Sequence, residues 1–155
     1  LVHRGRKWAT PWASWNSAAA AGMATVFVCT GVTHFVEPQR SGLEAIIPDF
    51  VPQPALAVTL SGVAELVLAV ALVVPRTRRV AALAAVLFLL AVFPANVIAA
   101  AGVSHPAAPT TPLVPRALLQ LVFIGFAAAP LLRRPAAPQR DPSTSKAAST
   151  PLHRE

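Results

Sequence analysis

Glu65 stands in the middle of an apolar run, Ser61-Gly62-Val63-Ala64-Glu65-Leu66, where an isolated ionised carboxylate is costly in hydrocarbon. A carboxyl group in that position is protonated, paired or turned toward a polar cavity. Four more polar residues interrupt or end apolar stretches: His34, Asn96, Arg116 and Gln120. Arg116 and Gln120 are four apart, as are Ser61 and Glu65, so each pair shares one helix face. Together these residue types suit recognition of a small polar head, with Glu65 as proton acceptor and Asn96, Gln120 or Arg116 as hydrogen-bond donors.

The same residues also have a purely structural reading. Asn, Gln and Ser between spans often serve only to hold helices together, and an internal Glu to Arg pair can fix register. His34 is without a second ligand at useful spacing, so no metal site is expected. Cys29, the single cysteine, reads as a small apolar filler inside its helix and excludes a Cys-x-x-Cys pair within the chain. The sequence contains no Gly-rich phosphate loop, no nucleophile elbow, no paired His motif and no second buried carboxylate. An autonomous enzyme of the soluble type is therefore not expected.

The elements that must position these residues follow from composition. Of 155 residues, 55% are hydrophobic and 12% charged, a mix far from that of soluble globular domains and suited to lipid as solvent. A membrane-crossing helix needs about 20 mostly apolar residues. Four stretches meet this, at about 18–36, 54–74, 80–101 and 114–132, so the expected fold is all-α, a four-transmembrane-helix bundle over residues 18–132. The first stretch follows Arg4, Arg6 and Lys7 as a signal peptide would, but three further spans favour a retained anchor. A lipoprotein reading of Cys29 is disfavoured by Val28 before it and by an apolar run that continues to Val36.

The net charge of +7 does not point to nucleic acid, because the basic residues lie between apolar runs rather than on one face. Eleven Lys and Arg fall in the N-terminal segment, the turn Pro75 to Arg79 and the segment beyond Leu132, against two, Arg40 and Arg116, in the other connections. The positive-inside rule then places both termini in the cytoplasm, N-in and C-in, with anionic lipid as the partner of the basic segments. Residues 1–17 form a basic segment in which Trp8, Trp12 and Trp15 suit the headgroup level, and Pro11 suits the start of a short interfacial helix. Residues 133–155, rich in Pro, Ser, Thr, Ala and Arg, read as a disordered basic tail.

Depth follows from a rise of 1.5 Å per residue: Glu65 sits roughly 16 Å from the outer end at Pro54, and Gln120 roughly 9 Å in, level with Asn96. Pro94 is expected to kink the third span. Ala57 with Ser61, and Gly125 with Ala129, are the small residues expected to let helices approach. In the outer connection Glu37 to Gln53, Leu43, Ile46, Ile47, Phe50 and Val51 recur at helical spacing before Pro48, Pro52 and Pro54 interrupt them. That Pro-rich loop is expected to fold back onto the outer membrane surface.

Gly31-Val32-Thr33-His34-Phe35, the loop Ile46-Ile47-Pro48-Asp49-Phe50-Val51-Pro52, Ser61-Gly62-Val63-Ala64-Glu65, Pro75-Arg76-Thr77-Arg78-Arg79, Phe93-Pro94-Ala95-Asn96 and Pro115-Arg116-Ala117-Leu118-Leu119-Gln120 occur in that order. In this combination, over about residues 22–130, the chain resembles the DoxX-like family of integral membrane proteins. The resemblance implies a four-helix protein of a bacterial plasma membrane. It also implies a link to redox chemistry, as a subunit of a thiosulfate:quinone oxidoreductase or as a partner of oxidative-stress enzymes.

Three functions compete on this reading. The first is an accessory subunit of a membrane redox system that binds quinone or a similar small molecule through Glu65, Asn96, Arg116, Gln120 and His34. The second is a non-catalytic anchor or scaffold that recruits redox or stress-response proteins through its cytoplasmic turn and tails. The third is a small proton-coupled exporter, which the strong charge bias disfavours because such proteins commonly insert in both orientations.

Overall fold

The computed structural model describes residues 15–132. Within them the chain forms helices α1 (Trp15–Thr33), α2 (Gln39–Glu44), α3 (Pro54–Val73), α4 (Arg78–Ala91), α5 (Phe93–Ala101) and α6 (Leu113–Ala128). A 3-10 turn, Ala129–Leu131, extends α6. Four stretches are long and apolar enough to cross a membrane: Trp15–Thr33, Pro54–Val73, Arg78–Ala101 and Leu113–Leu131. Trp8, Trp12, the Pro11 helix start and the segment 133–155 lie outside the described residues.

Helix ends are set by local chemistry. Pro54 opens α3 at a position where its missing N–H costs nothing. At the other end of α3, Arg78 donates from Nε to Leu72 O at 3.0 Å and from Nη2 to Val73 O at 3.1 Å, satisfying carbonyls that the helix leaves open and lipid cannot solvate. Its Nη1 reaches Ser17 Oγ at 2.8 Å, which ties the turn to the start of α1. Asn16 Nδ2 donates to Leu132 O at 3.1 Å. The start of α1, the basic turn and the end of the fourth span therefore share one end of the bundle. Gly102 ends α5 at φ 91°, a left-handed conformation suited to glycine.

The third span breaks where the Phe93-Pro94 step was expected to kink it. α4 ends at Ala91 and α5 begins at Phe93, because Pro94 has no N–H to give the carbonyl of Leu90. α4 packs on α3 and α6, and α5 packs chiefly on α6.

The core is built largely of alanine. Ala20, Ala24, Ala69, Ala81, Ala82, Ala85 and Ala127 are buried together with Met23, Phe27, Leu72 and Leu89. Phe27 meets Phe88 edge-on at a centroid distance of 6.0 Å. The bulky residues Leu60, Val67, Val70, Leu87, Leu90, Leu118 and Leu121 instead point outward, which is how a bundle solvated by lipid arranges its apolar surface. Cys29 lies on this outer surface too. It is not the interior filler expected, because the α1 positions that face the core are Met23, Ala24, Phe27 and Gly31.

Close approach of α1 and α3 rests on glycines rather than on Ala57 and Ser61. A Cβ on Gly62 would lie 2.6 Å from His34 Cβ and 2.8 Å from Phe35 Cε2, and one on Gly31 would lie 3.1 Å from Leu66 Cδ2. Gly125, expected to serve the same purpose, borders open space.

The connection 37–53 docks on the end of the bundle opposite the basic turn. Ile46 is buried with Ala99 and Ala108, and Leu43, Ala95, Ile98 and Val103 pack around them. Gly42 lies so close to the Ala107 carbonyl that any side chain would collide with it. Arg40 fixes the segment with four polar contacts: to His34 O at 3.1 Å, Ala55 O at 3.2 Å, Thr59 Oγ1 at 3.0 Å and Glu44 Oε1 at 3.0 Å. Of the five apolar residues expected on the membrane surface, Leu43 and Ile46 thus turn inward, whereas Phe50 is 81% exposed.

Candidate functional site

The break at Val92 and the docked connection 37–53 bound a cavity of about 260 Å³ in the half of the bundle away from the basic turn Pro75 to Arg79. Thr30, Thr33 and His34 line it from α1 and its C-terminal end, Ser61 and Glu65 from α3, Asn96 from α5 and Gln120 from α6. Met23, Phe27, Val58, Leu89, Val92 and Phe123 form its apolar walls, and Leu43, Ile46 and Ile47 line it from the connection 37–53. Each of the four spans thus contributes both polar and apolar surface to one space.

Glu65 is 8% exposed. Thr30 Oγ1 lies 2.6 Å from its Oε2, and His34 Nδ1 lies 4.0 Å from the same oxygen. Thr30 Oγ1 is also 2.9 Å from Val26 O, yet a hydroxyl has one proton to give. Facing a carboxylate, Thr30 donates to Glu65; facing a protonated Glu65, it accepts from it and donates to Val26 O. The pair accommodates either protonation state without moving a heavy atom. His34 Nδ1 donates to Thr30 O at 2.9 Å, which orients the ring beside the carboxyl group.

On the other side of the bundle, Gln120 donates through Nε2 to Leu89 O, the carbonyl one turn before the break. Asn96 accepts through Oδ1 from Arg116 Nη1 at 3.0 Å, and Arg116 Nε reaches Thr111 O at 3.2 Å.

Four of the five sequence-derived candidates, His34, Glu65, Asn96 and Gln120, therefore meet at one cavity. Arg116 does not line it; it stands behind Asn96 and fixes that amide. The Glu to Arg pair considered for register is absent among the described residues, since Glu65 has Thr30 and His34 as its polar neighbours. Thr30 was not recognised from sequence, although its place four residues before His34 puts both on one face of the first span. Arg40 was counted only as a charge, although Arg40 and Glu44 at i and i+4 mark a helical pair. No group of three His, Cys, Asp or Glu side chains suited to a metal ion occurs among the described residues.

Residues 23–130 match a family described as a domain of unknown function, DUF8561. The chain belongs to the DUF8561 family. No curated protein and no solved structure matches it. The DUF8561 match takes in every residue that lines the cavity, from Met23 to Phe123, and also Arg40 and Arg116, which hold its cover and its amide. In this DUF8561 chain the family region and the site-forming region thus coincide, with the basic terminal segments outside both.

Proposed function

We propose that this DUF8561 protein is a DoxX-like accessory subunit of a bacterial membrane redox system, and that its outer-half cavity binds the head of quinone or a similar small molecule. The observation that carries this reading is the convergence of polar side chains from all four spans on one mostly apolar cavity, with Glu65 at its wall. Small-molecule sites combine an apolar lining with a few placed polar groups, and an ionisable residue inside a span marks function by default.

The orientation follows from charge. Arg76, Arg78 and Arg79 lie in the turn at the bundle end shared by Ser17 and Leu132, and Arg40 and Arg116 belong to the other end. This bias supports a plasma-membrane protein with both termini in the cytoplasm and the cavity toward the outer face. Redox protein partners are reached through the cytoplasmic end.

The test compares purified wild type with Glu65→Gln in detergent, following thermal stability with and without short-chain quinone analogues. A ligand-dependent shift in wild type that is lost in Glu65→Gln supports the site. If the substitution only lowers stability and neither protein responds to ligand, Glu65 belongs to the internal bonding of the bundle, and the scaffold reading leads.

A further inference from the structure

The hydrogen bonds already made around the cavity fix which polar atoms remain for a ligand. Arginine carries no acceptor, so the bond from Arg116 commits Asn96 Oδ1 and leaves the Nδ2 donor. A carbonyl only accepts, so Leu89 O commits Gln120 Nε2 and leaves the Oε1 acceptor. Thr30 O likewise takes the His34 Nδ1 proton, which leaves Nε2 as an acceptor on the neutral ring. Thr30 Oγ1 occupies Glu65 Oε2 and leaves Oε1, an acceptor as carboxylate or when Oε2 carries the proton.

None of these four remaining atoms has a hydrogen-bond partner among the described residues. Glu65 and Gln120 are each 8% exposed and His34 is 9% exposed, and since no side-chain N or O atom among the described residues is both sealed off and unpartnered, these atoms open onto the cavity. Beside the Thr33 and Ser61 hydroxyls, whose protons go to Thr30 O and Val58 O, these four atoms comprise three acceptors and one amide donor, Glu65 Oε1 counting as an acceptor in the states named above.

Resting on the reading of this cavity as a quinone-type head site, we propose that it selects the reduced, hydroxyl-bearing head, a quinol, over the oxidised quinone. A quinone head presents carbonyl oxygens, which only accept. They satisfy Asn96 Nδ2, but by displacing water from the cavity they leave Glu65 Oε1, Gln120 Oε1 and His34 Nε2 without partners, an arrangement that binding sites reject strongly. The two hydroxyls of a quinol each donate once, which pairs two of the three acceptors, and their lone pairs still accept from Asn96 Nδ2.

An organic ammonium also donates, but it has nothing to accept from Asn96, and it approaches the Arg116 guanidinium held 3.0 Å from the same side chain. Volume adds a limit. About 260 Å³ falls just below the roughly 300 Å³ lower bound of drug-sized sites, which suits a single substituted ring rather than a fused multi-ring cofactor.

The experiment measures binding to the full wild-type chain in detergent under anaerobic conditions. The probes are a short-chain benzoquinol, its matched quinone, its dimethyl ether and an alkylammonium of similar size. The expected result is quinol binding at least about tenfold tighter than quinone or ether, a difference of about 1.4 kcal/mol, with a ratio that narrows in Gln120→Met. Quinone or ether binding as tightly as quinol overturns the selection and leaves the cavity a quinone-type site. No binding by quinol, quinone or ether overturns that underlying reading as well. Preference for the alkylammonium assigns the site to organic cations and overturns the proposal.

Discussion

Thr30 Oγ1 lies 2.6 Å from Glu65 Oε2, which joins the first and second membrane spans by a polar contact in an otherwise apolar stretch. Removal of the hydroxyl in Thr30→Val keeps the shape of the side chain and leaves the carboxyl group without its nearest partner. A buried acceptor so orphaned costs about 1–3 kcal/mol. Thermal unfolding in detergent is expected to shift down by a corresponding amount and to recover in Thr30→Ser; an unchanged transition in Thr30→Val would show that the contact contributes nothing.

Gly62 has no space for a side chain, since its Cβ would lie 2.6 Å from His34 Cβ. Gly62→Ala is expected to spread α1 from α3 and to lower stability by about 1–3 kcal/mol, the usual cost of overpacking. Gly125→Ala meets nothing within 4 Å and gains helix propensity, so it is expected to be neutral or stabilising by up to about 1 kcal/mol. Comparable losses from both glycines in a thermal-shift series would contradict the α1–α3 packing described above.

Arg40 joins the connection 37–53 to the carbonyls of His34 and Ala55 and to Thr59 and Glu44. In Arg40→Ala the cover of the cavity loses these bonds while the spans stay intact. Hydrogen exchange of residues 37–53 is expected to speed up selectively, with the protection of α3 and α4 retained. Uniform loss of protection across the bundle would instead assign Arg40 to global stability.

Arg116 acts through Asn96, whose Oδ1 it holds at 3.0 Å. Arg116→Met and Asn96→Ala are each expected to weaken binding of the short-chain benzoquinol, and the double variant to lose less than the two single losses combined. A coupling of about 0.5–3 kcal/mol is usual for residues in contact. Full additivity in the binding cycle would separate Arg116 from the site.

Topology is accessible by thiol labelling in a Cys29→Ala background. A cysteine placed by Arg76→Cys is expected to resist a membrane-impermeant reagent in intact cells, and one placed by His105→Cys to react. The reverse pattern would place the cavity toward the cytoplasm.

Much of the fold was legible in the residues alone. A span in hydrocarbon satisfies its backbone only as a helix of about 20 apolar residues, so the apolar runs define four helices whatever surrounds them. The level of polar residues follows from the helical rise, and this is why Asn96 and Gln120 meet at one cavity. Pro94 marks the break because a missing N–H acts on its own helix.

Rotation of each helix about its axis was not legible. Where almost every position is apolar, no polar face shows which side turns inward, so Gly31 and Gly62 were not distinguished from Gly125, or Met23 from Cys29. The pairing of Glu65 with Thr30, the withdrawal of Arg116 behind Asn96 and the inward turn of Leu43 and Ile46 all join residues distant in sequence. Only the tertiary structure decided them, because side-chain fit between helices, rather than any local periodicity, selects one rotation and one set of partners.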